Sequence, residues 1–259
     1  MVRVALAAVL AAAAAAALEP YPSAGAALTA PGELHTSVGA DGSPRCTIAY
    51  NPAFETPCFT IVDKAGPVVI REYSSGPAPR FPQDIVFAGC TTREAVSFEE
   101  AGAECGSSVL SYFLGANALG RPLNRTTPLL FQLPDGSTDD ADGYRVKMAL
   151  PPSAFNRSSA PLPANATGSV TLELLADGGA ADAAYTVAAA LFTTAGLPTE
   201  DDFATMCGNL DQRLPAGWTF DPNIGDGEWS QMYATFSTRD APLHYNECWL
   251  AVSRTGQAA

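Results

Sequence analysis

His244 and Cys248 are side chains whose types could support acid–base or nucleophilic chemistry, and they stand four residues apart in the stretch HYNECWLAV. Imidazole exchanges protons near neutral pH, and a cysteine thiolate is a good nucleophile. In an extended strand, residues four apart lie about 13 Å from each other, so these two side chains do not meet directly. An enzyme built on this pair is therefore the least favoured function, and we expect the chain not to be an enzyme.

The stretch HYNECWLAV has the pattern of a turn that passes into a strand. Alternation puts Trp249 and Ala251 on one face of that strand, with Cys248, Leu250 and Val252 on the other. The sequence has 2 histidines, and the other one, His35, lies in a segment without a hydrophobic pattern. A turn histidine with no second ligand nearby is expected to be solvated, with ligation of a haem iron or a metal as the alternative.

Further signatures of catalysis or metal binding are weak in this sequence. It contains no GxSxG elbow, HExxH motif, glycine-rich phosphate loop or dinucleotide fingerprint. Acidic clusters attract calcium when hard oxygen ligands alternate along a loop. Two such clusters depart from the EF-hand pattern and are interpreted as solvated turns: Asp135, Asp139, Asp140 and Asp142, and then Asp221, Asn223, Asp226 and Glu228.

Six cysteines are present, at positions 46, 58, 90, 105, 207 and 248, and no CxxC motif occurs among them. An even number in an exported chain favours disulfides over a zinc or redox centre. Cys46 and Cys58, twelve residues apart around a proline-containing loop, are expected to pair. Cys105 and Cys207 each lie on the buried face of a predicted helix. They are expected to be small apolar core residues, or alternatively to pair with each other.

The first residues have the features of a secretory signal peptide. Arg3 precedes an uninterrupted apolar run that ends at Glu19 and Pro20, and the small-residue stretch SAGAA follows. We therefore expect residues 1–25 to be removed and the protein to be secreted or held in the secretory-pathway lumen, with a plastid-related compartment as the alternative. The glycosylation sequons at Asn124, Asn156 and Asn165 fit a secreted glycoprotein.

The charge balance excludes several partners. The chain has 14 basic and 27 acidic residues, a net charge of −13. Nucleic acids and anionic membrane surfaces draw their affinity from clustered lysine and arginine, so neither is expected as a partner. No segment after the leader is long and apolar enough to span a bilayer. No oligomerisation signal is present, so a monomer is expected.

The elements that carry these residues follow a repeated plan. Residues 26–45 are predicted to be a flexible lead-in, residues 46–254 the folded domain and residues 255–259 a tail. Within the domain, two short strands split at Ala65–Pro67, a helix through Phe98–Tyr112 and a strand pair are followed by strands, a second helix and a last strand pair. The second helix is predicted over Pro198–Leu214, opened by a capping box from Thr199 to Asp202.

Six segments in this order resemble the SOUL haem-binding protein family, over residues 46–252. They are CTIAYNPAFETPCFTIV, VVIREYS, YFLGANALGRPLNRTTPLLFQLP, YRVKMALPPSAF, ALFTTAGLPTEDDFATMCGNL and NECW. The resemblance implies an α+β fold, a distorted antiparallel β-barrel of about eight strands flanked by two helices and built as a pseudo-duplication. The repeated plan agrees with that expectation.

The resemblance also implies a function, namely non-covalent binding of haem or a related tetrapyrrole by a carrier or scavenger. The ligand, a small apolar planar molecule, would lie in an apolar groove beside the first helix. Carried over to this sequence, the groove would involve Cys105, Val109 and Tyr112 on the helix, and Leu243 and His244 in the loop before NECW. Arg239 in the same loop is a cationic candidate for a propionate.

One departure from the family pattern favours an alternative. The first helix carries Glu99, Glu100 and Glu104 where some members have basic residues, so its charge would repel the carboxylates of a haem. The alternative is a structural or interaction protein that keeps the fold and has lost porphyrin binding.

Overall fold

The structure is a computed structural model that describes residues 31–38, 44–74, 85–92, 96–132, 143–164, 170–175, 184–222, 231–237 and 241–256. The helical segments are α1 (Phe98–Ala101), a π-helical turn (Gly102–Gly106), α2 (Ser107–Phe113), α3 (Glu200–Cys207) and a 3-10 turn (Asp211–Arg213). The strands in chain order are β1 (Leu34–Val38), β2 (Pro44–Ile48), β3 (Asn51–Thr56), β4 (Thr60–Ala65), β5 (Val68–Ser74), β6 (Val86–Thr91), β7 (Leu129–Gln132), β8 (Arg145–Ala149), β9 (Val170–Leu174), β10 (Ala184–Thr194), β11 (Trp218–Phe220), β12 (Gln231–Thr235) and β13 (His244–Arg254).

The main sheet is antiparallel, in the order β4-β5-β10-β13-β12-β7-β8-β6-β9, with β11 paired to β13. Within the described residues this path of strand pairs has two ends, at β4 and β9. The α+β class expected from the sequence is confirmed, with the helical segments packed on a mostly β framework. Both faces of the sheet are buried, so its central strands read as continuous apolar runs such as AAALF in β10.

Each face of the sheet supports its own apolar cluster. The first cluster includes Phe98, Val109 and Phe203 from the helices together with Cys248 and Leu250 from β13. The second cluster includes Trp249 and Ala251 from the same strand, on the opposite face. The alternation predicted for the closing strand is therefore confirmed.

The first helix, defined here as the continuous run α1, π-turn and α2, begins at a capping box. Ser97 accepts from the Glu100 backbone N–H at 3.2 Å, and the Glu100 carboxylate accepts from the Ser97 backbone N–H at 2.9 Å. Phe98, Ala101 and Val109 on its inner face are buried against the sheet. The predicted helix is confirmed, with one π-helical turn at its centre.

The second helix, α3, is shorter than predicted. The expected capping box is present, since Thr199 accepts from the Asp202 backbone and Asp202 accepts from Thr199. The helix ends at Cys207, whereas the periodicity predicted helix through Leu214. Glycine is a poor helix former, by about 1 kcal/mol relative to alanine, and Gly208 marks the point where the chain leaves the helix for a 3-10 turn.

The segment predicted to be a flexible lead-in contains a strand. Strands β1, β2 and β3 form a separate antiparallel sheet in which Leu34 lies opposite Ile48. Ile48 is fully buried in the second apolar cluster, and Tyr50 packs against it. The alternation of polar and apolar residues in β2 can be seen in the sequence. The strand with which β1 pairs is evident only in the folded chain.

Three disulfides link the cysteines, and the pairing corrects one expectation. Cys46–Cys58 is confirmed. Cys105 is neither a free core residue nor bonded to Cys207. Cys105 pairs with Cys90 on β6, and Cys207 pairs with Cys248 on β13. Each helix packs on the sheet through its buried face, so its inward cysteine faces a strand, and the two helices present these cysteines to different strands.

Among the described residues, no helix has both the length and the apolar character required to cross a membrane.

Candidate functional site

The three helix residues carried over as groove residues all point into the core. Cys105 and Val109 are 0% exposed, and Tyr112 is 1% exposed. The Tyr112 hydroxyl donates to the Pro161 carbonyl, and burial raises the pKa of Tyr112 to about 12, so it remains a donor at neutral pH. A ligand on the outer side of this helix would contact other residues.

Three leucines in the segments at the end of the first helix are exposed. Leu114, Leu119 and Leu162 are 66%, 47% and 67% exposed, and we call these three residues the leucine patch. Their two segments are bonded together, since the Ala118 N–H donates to the Leu162 carbonyl at 2.7 Å. The patch therefore lies on a fixed part of the surface beside the helix.

Asn117 holds the turn that carries the leucine patch. Its buried side-chain amide donates to the Tyr112 carbonyl at 2.8 Å and to the Arg121 carbonyl at 3.0 Å, and its oxygen accepts from the Leu119 N–H at 3.0 Å. These bonds tie the helix end to Arg121, whose side chain is exposed. The exposed guanidinium of Arg121 therefore follows Leu114 and Leu119 of the leucine patch closely in the chain.

The sequence predicted that His244 would be a solvated turn residue, and this prediction is wrong. His244 is the first residue of β13 and is 1% exposed, because its position on the strand faces the helix-covered side of the sheet. Burial lowers the pKa of His244 from 6.5, with the Ala241 carbonyl acting in the opposite sense. Leu243 beside it is 41% exposed. Arg239 lies outside the described residues.

Most residues of the two acidic clusters lie outside the described part of the chain. Asp135, Asp139, Asp140 and Asp142 lie outside the described residues, as do Asn223, Asp226 and Glu228. Asp221 is described and its backbone N–H donates to the Ala251 carbonyl at 3.0 Å. Among the described residues no group of three acidic, cysteine or histidine side chains could hold a metal ion.

A buried ion pair, which the sequence analysis missed, joins two of the segments that carry the family resemblance. Arg71 of VVIREYS donates to both carboxylate oxygens of Glu247 of NECW, at 2.7 and 2.8 Å, and both residues are 0% exposed. The Trp249 indole N–H donates to Glu247 at 2.6 Å, and the Tyr50 hydroxyl donates to it as well. The available signal was a charged residue beside an apolar run in each strand, since Arg71 follows Val68–Ile70 and Glu247 precedes CWLAV.

The electrostatics of this cluster keep Arg71 charged and Tyr50 protonated. Burial alone would lower the pKa of Arg71, but the charge of Glu247 reverses that effect and the net pKa is raised. Burial and the negative charge of Glu247 raise the pKa of Tyr50 well above its usual value, so Tyr50 stays protonated and donates. Glu247 accepts four hydrogen bonds from side chains of the same chain, so its carboxylate has a structural role.

A second buried charge lies near the edge of the sheet. Lys147 is 0% exposed and its Nζ lies 2.6 Å from a carboxylate oxygen of Glu173 on β9. Gly89 on the intervening strand makes room, because a Cβ there would lie 2.9 Å from the Glu173 carboxylate. This pair fastens β9 to the sheet.

The interior of the second cluster leaves too little space for a large ligand. A cavity of about 10 Å³ lies there, lined by Pro57, Tyr73, Ile85, Phe87, Pro128, Leu130, Leu175, Tyr185, Met232 and Trp249. Pockets for drug-sized ligands measure about 300–1,000 Å³. A tetrapyrrole does not fit this cavity, and a surface site is the alternative.

Comparisons with known proteins leave the family open. No protein-family model matches the sequence, and no curated protein matches it. A cryo-EM structure of the EcmrR–DNA complex in EcmrR-RPo is similar over 73% of this chain, with a TM-score of 0.45 and 11% sequence identity. This chain covers 57% of that one, which is less than two thirds of its length. A likeness of this degree establishes neither a shared fold nor a shared activity.

Proposed function

We propose that this chain is a disulfide-linked carrier or scavenger of haem or a related tetrapyrrole, with a SOUL-type barrel as its fold. The proposal rests on the six-segment resemblance. One observation carries it further, namely the exposed leucine patch beside the first helix, where the resemblance expects an apolar groove. The Arg71–Glu247 pair supports the same assignment, because it brings two of the six segments into contact in the core.

The ligand would lie on the leucine patch rather than on Cys105, Val109 and Tyr112, whose side chains face inward. Burial of apolar surface contributes roughly 25 cal/mol per Å², so three exposed leucines offer a planar apolar ligand a useful contact area. Arg121 would pair with one propionate, which compensates in part for the acidic start of the helix. Leu243, which is exposed, and Arg239 remain the predicted contribution of the last loop, whereas His244 is buried and would not contact a ligand on the surface.

A hemin titration of the oxidised mature chain, followed at the Soret band, tests this proposal. We expect saturable one-to-one binding. Replacing both Leu114 and Leu162 by serine removes exposed apolar contacts and is expected to weaken hemin binding by about tenfold, equivalent to roughly 1.4 kcal/mol. Ile61→Ser is the matched control, since Ile61 is 40% exposed and lies on β4.

Charge reversal at Arg121 separates the polar contact from the apolar one. Arg121→Glu should weaken hemin binding, and the equivalent change at exposed Arg213 should not. If the parent protein shows no saturable Soret change, the carrier function is rejected. If it binds hemin but the leucine and arginine variants bind equally well, the location on the leucine patch is rejected.

The second candidate is a structural or interaction protein of the same fold that has lost porphyrin binding. The observation in its favour is the acidic outer surface of the first helix, where Glu99, Glu100 and Glu104 are all exposed and no basic residue occupies the last turn. Glu99→Lys combined with Glu104→Lys distinguishes the two functions. Hemin affinity that appears only in this variant would establish the second candidate.

A further inference from the structure

A cluster of polar side chains occupies one end of the helix-covered face of the sheet. His244 lies directly opposite Thr194 on β10, and Asn246 lies directly opposite Thr235 on β12. Directly opposed residues share a face of an antiparallel pair, and residues two apart on one strand do as well. All four side chains therefore project to the same side as Cys248. We call His244, Asn246, Thr235 and Thr194 the polar niche.

Three adjoining residues of the niche carry buried polar atoms without a hydrogen-bond partner in the described part of the chain. These atoms are His244 Nδ1, Asn246 Oδ1 and Thr235 Oγ1. His244 is 1% exposed and Asn246 is 0% exposed. Buried polar side chains nearly always have a partner, so three of them within one end of a sheet indicate a site built to be completed by another molecule.

The orientation of the Asn246 amide is fixed by its own bonds. Its nitrogen donates to Thr194 Oγ1 at 3.1 Å and to the His244 carbonyl at 3.4 Å. Thr194 Oγ1 in turn donates to the Gly196 carbonyl at 2.6 Å. The amide oxygen of Asn246 is consequently the atom left over, and it can only accept a hydrogen bond.

The niche lies close to the surface. Thr194 and Thr235 are each partly exposed as residues, although the Thr235 hydroxyl oxygen itself is buried. Leu197 follows Thr194 closely in the chain and is 56% exposed, and Leu243 immediately precedes His244 and is 41% exposed. Two exposed leucines therefore flank two of the niche residues along the chain.

These observations define the chemistry of the partner. Asn246 Oδ1 requires a donor, whereas the Thr235 hydroxyl can donate or accept. The neutral His244 ring donates its one N–H to the Ala241 carbonyl, so Nδ1 is left as an acceptor. A carboxylate has no hydrogen to give to Asn246, and a charged group would be costly to bury here. We propose that the polar niche binds the hydroxyl or primary amide group of a small uncharged molecule whose apolar body lies against Leu197 and Leu243.

Imidazole NMR of the mature chain provides a direct test, because the sequence has 2 histidines and the other, His35, is exposed and serves as an internal reference. Benzyl alcohol and benzamide are the probes, and benzoate is the charged analogue. We expect the His244 ring signals to shift saturably with the two neutral probes, while His35 does not respond and benzoate binds far more weakly.

Substitutions at Thr235 link this binding to the niche. Thr235→Val removes one hydroxyl and is expected to weaken benzyl alcohol binding about fivefold, the equivalent of one net hydrogen bond. Thr235→Ser keeps the hydroxyl and should restore affinity. Thr193→Val is the matched control, because Thr193 lies opposite Tyr245 on the other face of the same strands.

The inference is overturned if the His244 signals do not move up to the solubility limit of the probes, in which case water alone satisfies the niche. It is also overturned if benzoate binds as well as benzyl alcohol, or if Thr235→Val and Thr193→Val behave alike. The niche does not depend on tetrapyrrole binding, since hemin affinity at the leucine patch is measured separately and either result can occur without the other.

Discussion

Glu247 accepts hydrogen bonds from three different side chains in the core, those of Arg71, Trp249 and Tyr50. Arg71 also lies over the Phe59 ring, with its guanidinium carbon 4.3 Å from the ring centroid. A buried ion pair adds little net stability, because desolvation offsets the attraction between the charges. Removal of one partner is costly, however, since it leaves the other charge buried and unpaired.

Arg71→Met is therefore expected to lower the free energy of unfolding by about 3–5 kcal/mol. Urea denaturation measures this change. Glu72→Gln is the control, because Glu72 is the next residue on β5 and is half-buried on the opposite face. The double variant Arg71→Met with Glu247→Leu should be more stable than Arg71→Met alone, and the opposite order would contradict this account of the pair.

His244 makes stability depend on pH. Burial lowers its pKa below 6.5 in the folded protein, so the unfolded chain binds the proton more tightly. The stability contributed by the neutral imidazole is present at higher pH and is lost as the pH falls below about 6.5. His244→Gln should reduce the loss of thermal stability between about pH 7 and pH 5, whereas His35→Gln should leave it unchanged. Equal slopes for the parent and both variants would refute this assignment.

At the scale of elements, each helix is held to the sheet by a disulfide as well as by its apolar face. Cys105 joins the first helix to β6, and Cys207 joins α3 to β13. Phe203 of α3 stacks on Tyr233 of β12 with ring centroids 4.3 Å apart. Because α3 has only 8 residues, its stability comes mainly from these tertiary contacts.

Loss of the Cys207–Cys248 disulfide, which holds α3, is expected to lower the stability of the fold more than loss of Cys46–Cys58. Replacing Cys207 and Cys248 by alanine opens a bridge that spans 41 residues, which costs about 4 kcal/mol in the chain-entropy model. The same change at Cys46 and Cys58 opens a bridge that spans 12 residues and costs about 3 kcal/mol. Denaturant midpoints under oxidising conditions compare the two, and a reversed order would show that native-state packing dominates.

At the scale of the whole molecule, one sheet divides two apolar clusters, and the sheet of β1–β3 packs on the second of them. Asn51 in this smaller sheet donates a hydrogen bond to the Phe236 carbonyl, and Glu55 accepts from Ser153 at 2.6 and 2.8 Å. The amino-terminal strands are therefore part of the domain. Removal of residues up to the end of β3 would expose Ile48 and its contacts.

The complete pairing of the cysteines fits an oxidising environment. All six lie in the described residues and none is free. The unreduced protein should not react with Ellman's reagent, either folded or unfolded in denaturant. After reduction, six thiols should react. Protein made in a reducing cytosol is the control and should fold poorly. Any reactive thiol in the oxidised, unfolded chain would contradict the pairing.

The sequence by itself determined the local features. A capping box predicted where the second helix begins, because a cap is read from residues three apart, and helical spacing of apolar residues predicted the first helix. Alternation predicted the two faces of β13, and loop length predicted Cys46–Cys58. The expected signal peptide, the net charge and the family resemblance are likewise inferred from the sequence, and they direct the proposed function.

Only the tertiary structure decided which distant residues meet. Periodicity showed that Cys105 and Cys207 face inward, but it could not say that Cys90 and Cys248 are the strand residues beneath them. Arg71 and Glu247 are 176 residues apart, and nothing local links them. The sequence predicted a turn residue at His244, but its pairing with Thr194 places its side chain on the helix-covered face of the sheet. Strand pairing is set by contacts across the whole chain, and burial follows from that pairing.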